Sequence, residues 1–168
     1  FWSGPWGLGQ LDWEHPFYLT TNVSLPRRNL SGDGQWLAGE VGGPVLIQRP
    51  TTLQSLLSAG SGRAAAINFD GSVVVGATSD NSGTFGTAWL ITPVIGGFVA
   101  EQKRYPRSEF DSVSADGEYA AGFLDWGGGA SSYRGIVWRI DAEADIFLSP
   151  MGTGGVSYVN FLSNGGEV

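Results

Sequence analysis

Cysteine is absent from the sequence, which excludes disulfide scaffolding and thiolate chemistry but leaves secretion open. Histidine occurs once, at His15, so a multi-histidine metal centre is excluded and any serine hydrolase would have to use that residue. No serine stands in a Gly-x-Ser-x-Gly elbow, and Gly127-Gly128-Gly129 lacks the Lys-Ser/Thr that completes a phosphate-binding loop. Lysine also occurs once, at Lys103, and the nine basic residues stand against sixteen acids for a net charge of −7. Binding to nucleic acid rests on Lys and Arg neutralising phosphates, so a nucleic-acid partner is excluded, and anionic membranes are disfavoured on the same ground. No run approaches the roughly 20 apolar residues of a spanning helix, which argues against direct membrane insertion.

Glycine and aromatic residues are abundant. There are 27 Gly, seven Trp, nine Phe and five Tyr among 168 residues, and only 15% of the chain is charged. Glycine costs a helix interior about 1 kcal/mol relative to alanine, whereas aromatic residues favour strands, so this composition predicts an all-β fold.

A repeat organises the chain. Leu30-Ser31-Gly32-Asp33-Gly34-Gln35-Trp36-Leu37-Ala38-Gly39 aligns with Ile67 to Gly76 and with Val113 to Gly122, and a fourth copy begins at Leu162 and stops at Val168. The glycine after each turn position recurs at Gly34, Gly71, Gly117 and Gly166, at intervals of 37, 46 and 49 residues. In each full copy an extended run meets Asp33-Gly34, Asp70-Gly71 or Asp116-Gly117, and a second apolar run leaves and ends at glycine. Asp-Gly suits a tight hairpin turn because both residues tolerate positive φ. Variable loops follow, then aromatic strands at Phe85 to Ile91 and Tyr133 to Ile140, and a fourth strand at Ile95 to Glu101 and at Ala144 to Leu148. In the first copy Leu53, Leu56 and Leu57 fall at helical spacing and predict one short helical turn.

Four strands per unit predict antiparallel repeat blades, a β-propeller-like architecture that is an incomplete part of a larger propeller. The expected segments are an aromatic-rich edge or cap over 1–24, an atypical repeat over 25–62, repeats over 63–107 and 108–155, and a truncated fourth over 156–168. A start at Phe1 and a stop inside a hairpin suggest a processed or excised chain. The expected partner is the remainder of a parent chain, or a second chain, that completes the ring.

The blocks Val113 to Gly122 and Ile67 to Gly76, with Ala88-Trp89, Ile136-Val137-Trp138-Arg139 and Gly96-Gly97, resemble the HAF-type repeats of bacterial autotransporter passengers and other surface proteins. The resemblance covers residues 25–168, although the first copy lacks the Trp strand. It implies export to an extracellular or cell-surface location and a propeller-like assembly, and it implies no catalytic residues.

Three sets of acids could pair on one face of an extended chain, since residues i and i+2 point the same way: Asp12 with Glu14, Glu109 with Asp111, and Asp141 with Glu143 and Asp145. Paired acids divide into proton donor and base when their environments differ, as in glycosidases, and Asp12 and Glu14 are the strongest candidates because Trp13 and Phe17 adjoin them. A calcium ion is the one cofactor the residues suggest, at Asp80 in Asp80-Asn81-Ser82-Gly83, although no twelve-residue calcium loop is present. Asp125, Trp126 and Tyr133 flank a glycine-rich loop and form the best candidate for ligand binding, with an aromatic face to stack a sugar ring and an acid to take its hydroxyls. Trp36, Trp89 and Trp138 lie within strands and read as core. The expected function is a non-enzymatic surface module for adhesion or glycan contact through its inter-strand loops. The alternatives are part of a secreted glycan-cleaving enzyme, and a structural spacer.

Overall fold

The computed structural model describes residues 29–40, 43–48, 52–56, 61–125, 133–142 and 144–147. Its strands are β1 Trp36–Glu40, β2 Pro44–Gln48, β3 Thr52–Ser55, β4 Ser61–Ile67, β5 Val73–Asp80, β6 Gly83–Val94, β7 Gly97–Pro106, β8 Ser108–Val113, β9 Tyr119–Asp125, β10 Tyr133–Arg139 and β11 Ala144–Phe147. They form three sheets, ordered β1-β2-β3, β4-β5-β6-β7 and β8-β9-β10-β11, and the strands of each pair antiparallel with their neighbours in sequence.

The sheets overturn the propeller reading. Each is a separate open meander with two lateral edges, and none closes on itself or curls into a ring of blades. The repeat specifies local hairpins, each strand returning beside the one before it. It does not specify closure, which depends on how sheet faces meet. A second correction concerns Leu53: its segment is strand β3, with Leu53 facing Ile47 and Gln54 facing Leu46, not a helical turn. Three leucines cannot offset the cost of nucleating an isolated turn when a neighbouring strand offers a complete ladder.

The turns have one construction used three times. Ser31, Asn68 and Ser114 precede them and are buried, at 1%, 2% and 0% exposure. The backbone N–H of each donates to the carbonyl five residues on, at Trp36, Val73 and Tyr119, and the side-chain oxygen of each accepts the N–H of that same residue at 2.9 to 3.0 Å. The aspartate two residues on accepts from that first side chain and from the N–H of Gln35, Ser72 or Glu118. The loop therefore holds four residues, and only its glycine takes positive φ: 69° at Gly34, 78° at Gly71 and 77° at Gly117. The turns also bond to one another, Asp33 N–H to the Phe69 carbonyl and Phe69 N–H to the Ala115 carbonyl, each at 3.2 Å.

The glycine that ends the second and third copies has a different cause. Gly76 and Gly122 sit opposite register shifts that leave Ala65 and Asp111 as extra residues in β4 and β8. A Cβ at either glycine would overlap the carbonyl oxygen of Arg63 or Glu109. A bulge brings the partner backbone too close for any side chain.

Among the described residues, two cores lie between the sheets. Trp36, Leu46, Ile67, Val74, Trp89 and Phe98 fill the first, with Trp36 edge-on to Phe98 at 6.0 Å. Val73, Val75, Ala88, Phe110, Ile136 and Trp138 fill the second, where Phe110 stacks on Trp138 at 5.4 Å with ring planes 8° apart. Each large apolar side chain so buried contributes roughly 1.5–3 kcal/mol. Because β5 supplies Val74 to one core and Val73 and Val75 to the other, its unbroken apolar run is required by two covered faces.

Candidate functional site

The chain crosses from the second sheet to the third through one residue. β7 ends at Pro106 and β8 begins at Ser108, so Arg107 alone makes the change of direction, and its φ of 56° is the one positive value at a non-glycine among the described residues. It is held from both sides: its N–H donates to the Thr84 carbonyl at 2.8 Å, and its carbonyl accepts the Asp125 N–H at 2.7 Å. Ser108 locks the start of β8, its buried hydroxyl donating to the Tyr105 carbonyl at 2.9 Å and accepting the Gly86 N–H at 3.0 Å.

A recess of about 210 Å³ opens at this crossing. Arg107, Glu109, Asp125 and Tyr133 line it with Thr84, Ser108 and Phe123. Asp125 and Tyr133 face each other across the β9–β10 ladder, and Tyr133 packs edge-on to Phe123 with ring centroids 5.1 Å apart. The topology thus brings two of the three residues expected to contact a ligand into one polar recess with an aromatic wall, while Trp126 lies outside the described residues. The sequence reading paired Glu109 with Asp111 and did not set it beside Asp125 and Tyr133, and it missed Arg107 as a site residue, because nothing local marks a position whose backbone is forced by two flanking strands.

The other acids are engaged in holding sheets and turns. One Arg63 Nη atom reaches both Glu109 and Asp111 at 2.8 Å, tying β4 to β8 across the sheet boundary. Burial disfavours the Arg63 charge, but hydrogen bonds and attraction from the two carboxylates outweigh it and raise its pKa. Asp80, the calcium candidate, accepts from Arg104 at 2.7 Å and from the Ser82 N–H at 2.7 Å. The Arg104 hydrogen bond, followed by that from Ser82, holds its carboxyl below the usual range, and the same guanidinium lies 3.6 Å over the Phe85 ring. Asp80 already has a cation beside it, and among the described residues no group of three His, Cys, Asp or Glu could hold a metal. Burial works to raise the Asp70 pKa, but hydrogen bonds from Ser72 and Asn68 outweigh it and lower it.

Asp141 lies 3.6 Å from Lys103, whose ammonium also donates to the Ile140 carbonyl at 3.3 Å. Trp36, Trp89 and Trp138 are buried, at 6%, 0% and 2% exposure. Asp12, Glu14 and His15 lie outside the described residues. Among the described residues no helix is long and apolar enough to cross a membrane.

No family model matches the chain, and no curated protein matches it. The picture of a secreted, surface-displayed, carbohydrate-binding propeller is corrected accordingly: the sheets of the described residues are three and open, and neither the export and display implied by the HAF-type resemblance nor the sugar binding read from Asp125, Trp126 and Tyr133 gains support from any match.

Proposed function

We propose that this chain is a non-enzymatic contact module and that the recess at the β7–β8 crossing is its contact point. The observation that carries the reading is Arg107. A non-glycine residue at φ 56° stores backbone strain that glycine would avoid, and such strain concentrates where a particular side chain is needed. Arg63, Arg104 and Arg139 all lie within 4.0 Å of a carboxylate, whereas Arg107 has no ion pair among the described residues. Its guanidinium offers donors to an acceptor on the ligand, Asp125 offers an acceptor to hydroxyl or ammonium donors, and Tyr133 offers an apolar face. The recess suits one polar group of a larger ligand. Catalysis has less to draw on, since the candidate acid pair Glu109 and Asp111 is engaged, both members bonding to Arg63.

The test is a binding screen against immobilised glycans, peptides and small carboxylates, run beside a turnover screen. Arg107→Gly removes the side chain and relieves the strain, so it should leave thermal stability unchanged or higher while binding falls at least about tenfold, the loss of one charge-assisted contact. Binding unaffected by Arg107→Gly and by Tyr133→Ala would refute the recess. Turnover of any ligand in the screen would refute the non-enzymatic reading.

A further inference from the structure

Strand β7 is the outer edge of the central sheet, and its free backbone groups can be identified residue by residue. The Arg107 N–H donates to the Thr84 carbonyl, and the β6–β7 register runs from Phe85 facing Pro106 to Val94 facing Gly97. Antiparallel ladders alternate, so residues 105, 103, 101, 99 and 97 bond inward to β6, and Phe98, Ala100, Gln102 and Arg104 direct N–H and C=O away from it. Prolines agree with this phase: Pro93 and Pro106 both sit at non-bonded positions.

The outward edge is stopped at both ends. At Phe98 the side-chain amide of Gln54, reaching from β3 of the first sheet, donates to the carbonyl at 3.0 Å and accepts the N–H at 3.5 Å. Gln54 thereby supplies one residue's worth of an added strand. At Pro106 there is no N–H to offer. Between these stops the outward groups of Ala100, Gln102 and Arg104 have no partner among the described residues. Gln102 and Arg104 are exposed, and a space of about 470 Å³ lies along Glu101 to Pro106 beside Trp138.

The open stretch is complementary to itself. When two copies of β7 lie antiparallel with Gln102 opposite Gln102, Ala100 faces Arg104 and each of these pairs exchanges two backbone hydrogen bonds. Glu101 then faces Lys103 at both symmetry-related positions, and the exposed Val99 faces Tyr105. Opposite charges and a β-branched–aromatic pair are the cross-strand combinations that stabilise a sheet. In that register the capped Phe98 faces Pro106, so the two stops coincide and one centre satisfies every constraint. Charges and proline at a sheet edge otherwise serve to prevent pairing. On β7 they leave one pairing permitted.

We infer that β7 is the contact surface of a symmetric dimer of this chain, two central sheets joining edge to edge about Gln102. The arrangement is isologous, closes at two copies and leaves the Arg107 recess out of the pairing. It does not depend on the proposed function.

Sedimentation of the full chain across a concentration series should show a reversible monomer–dimer equilibrium. Glu101→Lys and Lys103→Glu each place like charges opposite one another twice, and each should weaken self-association about tenfold or more. An equimolar mixture of those two variants restores both opposite-charge pairs and should form a heterodimer at least as tight as the wild-type dimer. Gln102→Pro removes an outward N–H without touching the β6 ladder and should abolish association while circular dichroism stays unchanged. A wild-type chain that remains monomeric at millimolar concentration would overturn the inference. So would association that Gln102→Pro leaves intact, or charge variants that associate no better mixed than alone.

Discussion

Replacing Gly71 by alanine tests whether the repeated turn is held by backbone conformation alone or also by what packs on it. Gly71 has φ 78°, and a Cβ there would overlap the ring of Trp36, which is 6% exposed in the core between the first two sheets. Gly34 occupies the same place in the preceding repeat with φ 69°, and a Cβ there meets nothing within 4 Å. Gly34→Ala should therefore cost only the left-handed conformation, roughly 1–2 kcal/mol. Gly71→Ala adds displacement of a packed indole, an overpacking cost of roughly 1–3 kcal/mol, for a total of about 2–5 kcal/mol. Urea unfolding followed by tryptophan fluorescence measures both, with comparable m-values as the check that stability alone has changed. A Trp36→Leu background separates the terms, because the excess cost of Gly71→Ala should shrink once the ring is gone. The reasoning is refuted if the two alanine variants lie within about 0.5 kcal/mol of each other, the ordinary range of a surface substitution, or if the excess persists without Trp36.

Ser114→Ala should cost about 1–3 kcal/mol in the same assay, because it strips the acceptor from the Tyr119 N–H and the donor from Asp116 in a buried position; Ser114→Asn, which reproduces the side chain of the second repeat, should recover much of that loss. The Asp70 carboxyl has a lower pKa folded than unfolded, so its contribution is fully present above the unfolded value near 3.8 and is lost as pH falls through the folded one. Acid unfolding of Asp70→Asn should accordingly show a shallower loss of stability below about pH 4 than the wild type, and identical slopes would contradict the hydrogen-bonding account.

The repeat was legible because its cause is local. Buried strand runs, the side chain before the turn, the aspartate and the left-handed glycine all lie within ten residues, and short-range geometry fixes which residue types can occupy each place. All-β composition and the hairpin order of the strands followed from the same information. The terminal glycine of each repeat was visible as a pattern, but the reason for two of them was not: Gly76 and Gly122 face bulges in a partner strand, and no property of their own segments announces a close backbone approach.

What the amino-acid sequence determined by itself was thus the all-β class, the repeated Asp-Gly turns and the burial of Trp36, Trp89 and Trp138. Tertiary structure decided how the sheets meet, because packing one face on another depends on contacts between residues such as Arg63 and Asp111, 48 positions apart. It moved Leu53 into a strand by offering β2 as a partner. It placed Asp125 and Tyr133 in a recess with Arg107 and Glu109, and it set a lone glutamine from the first sheet against the edge of the second. Hydrogen bonds between neighbouring residues leave a trace in composition and spacing. The separation of two strand edges, the sign of one φ at a crossing and the phase of an outward-facing ladder leave none, because each is set only when distant segments are brought together.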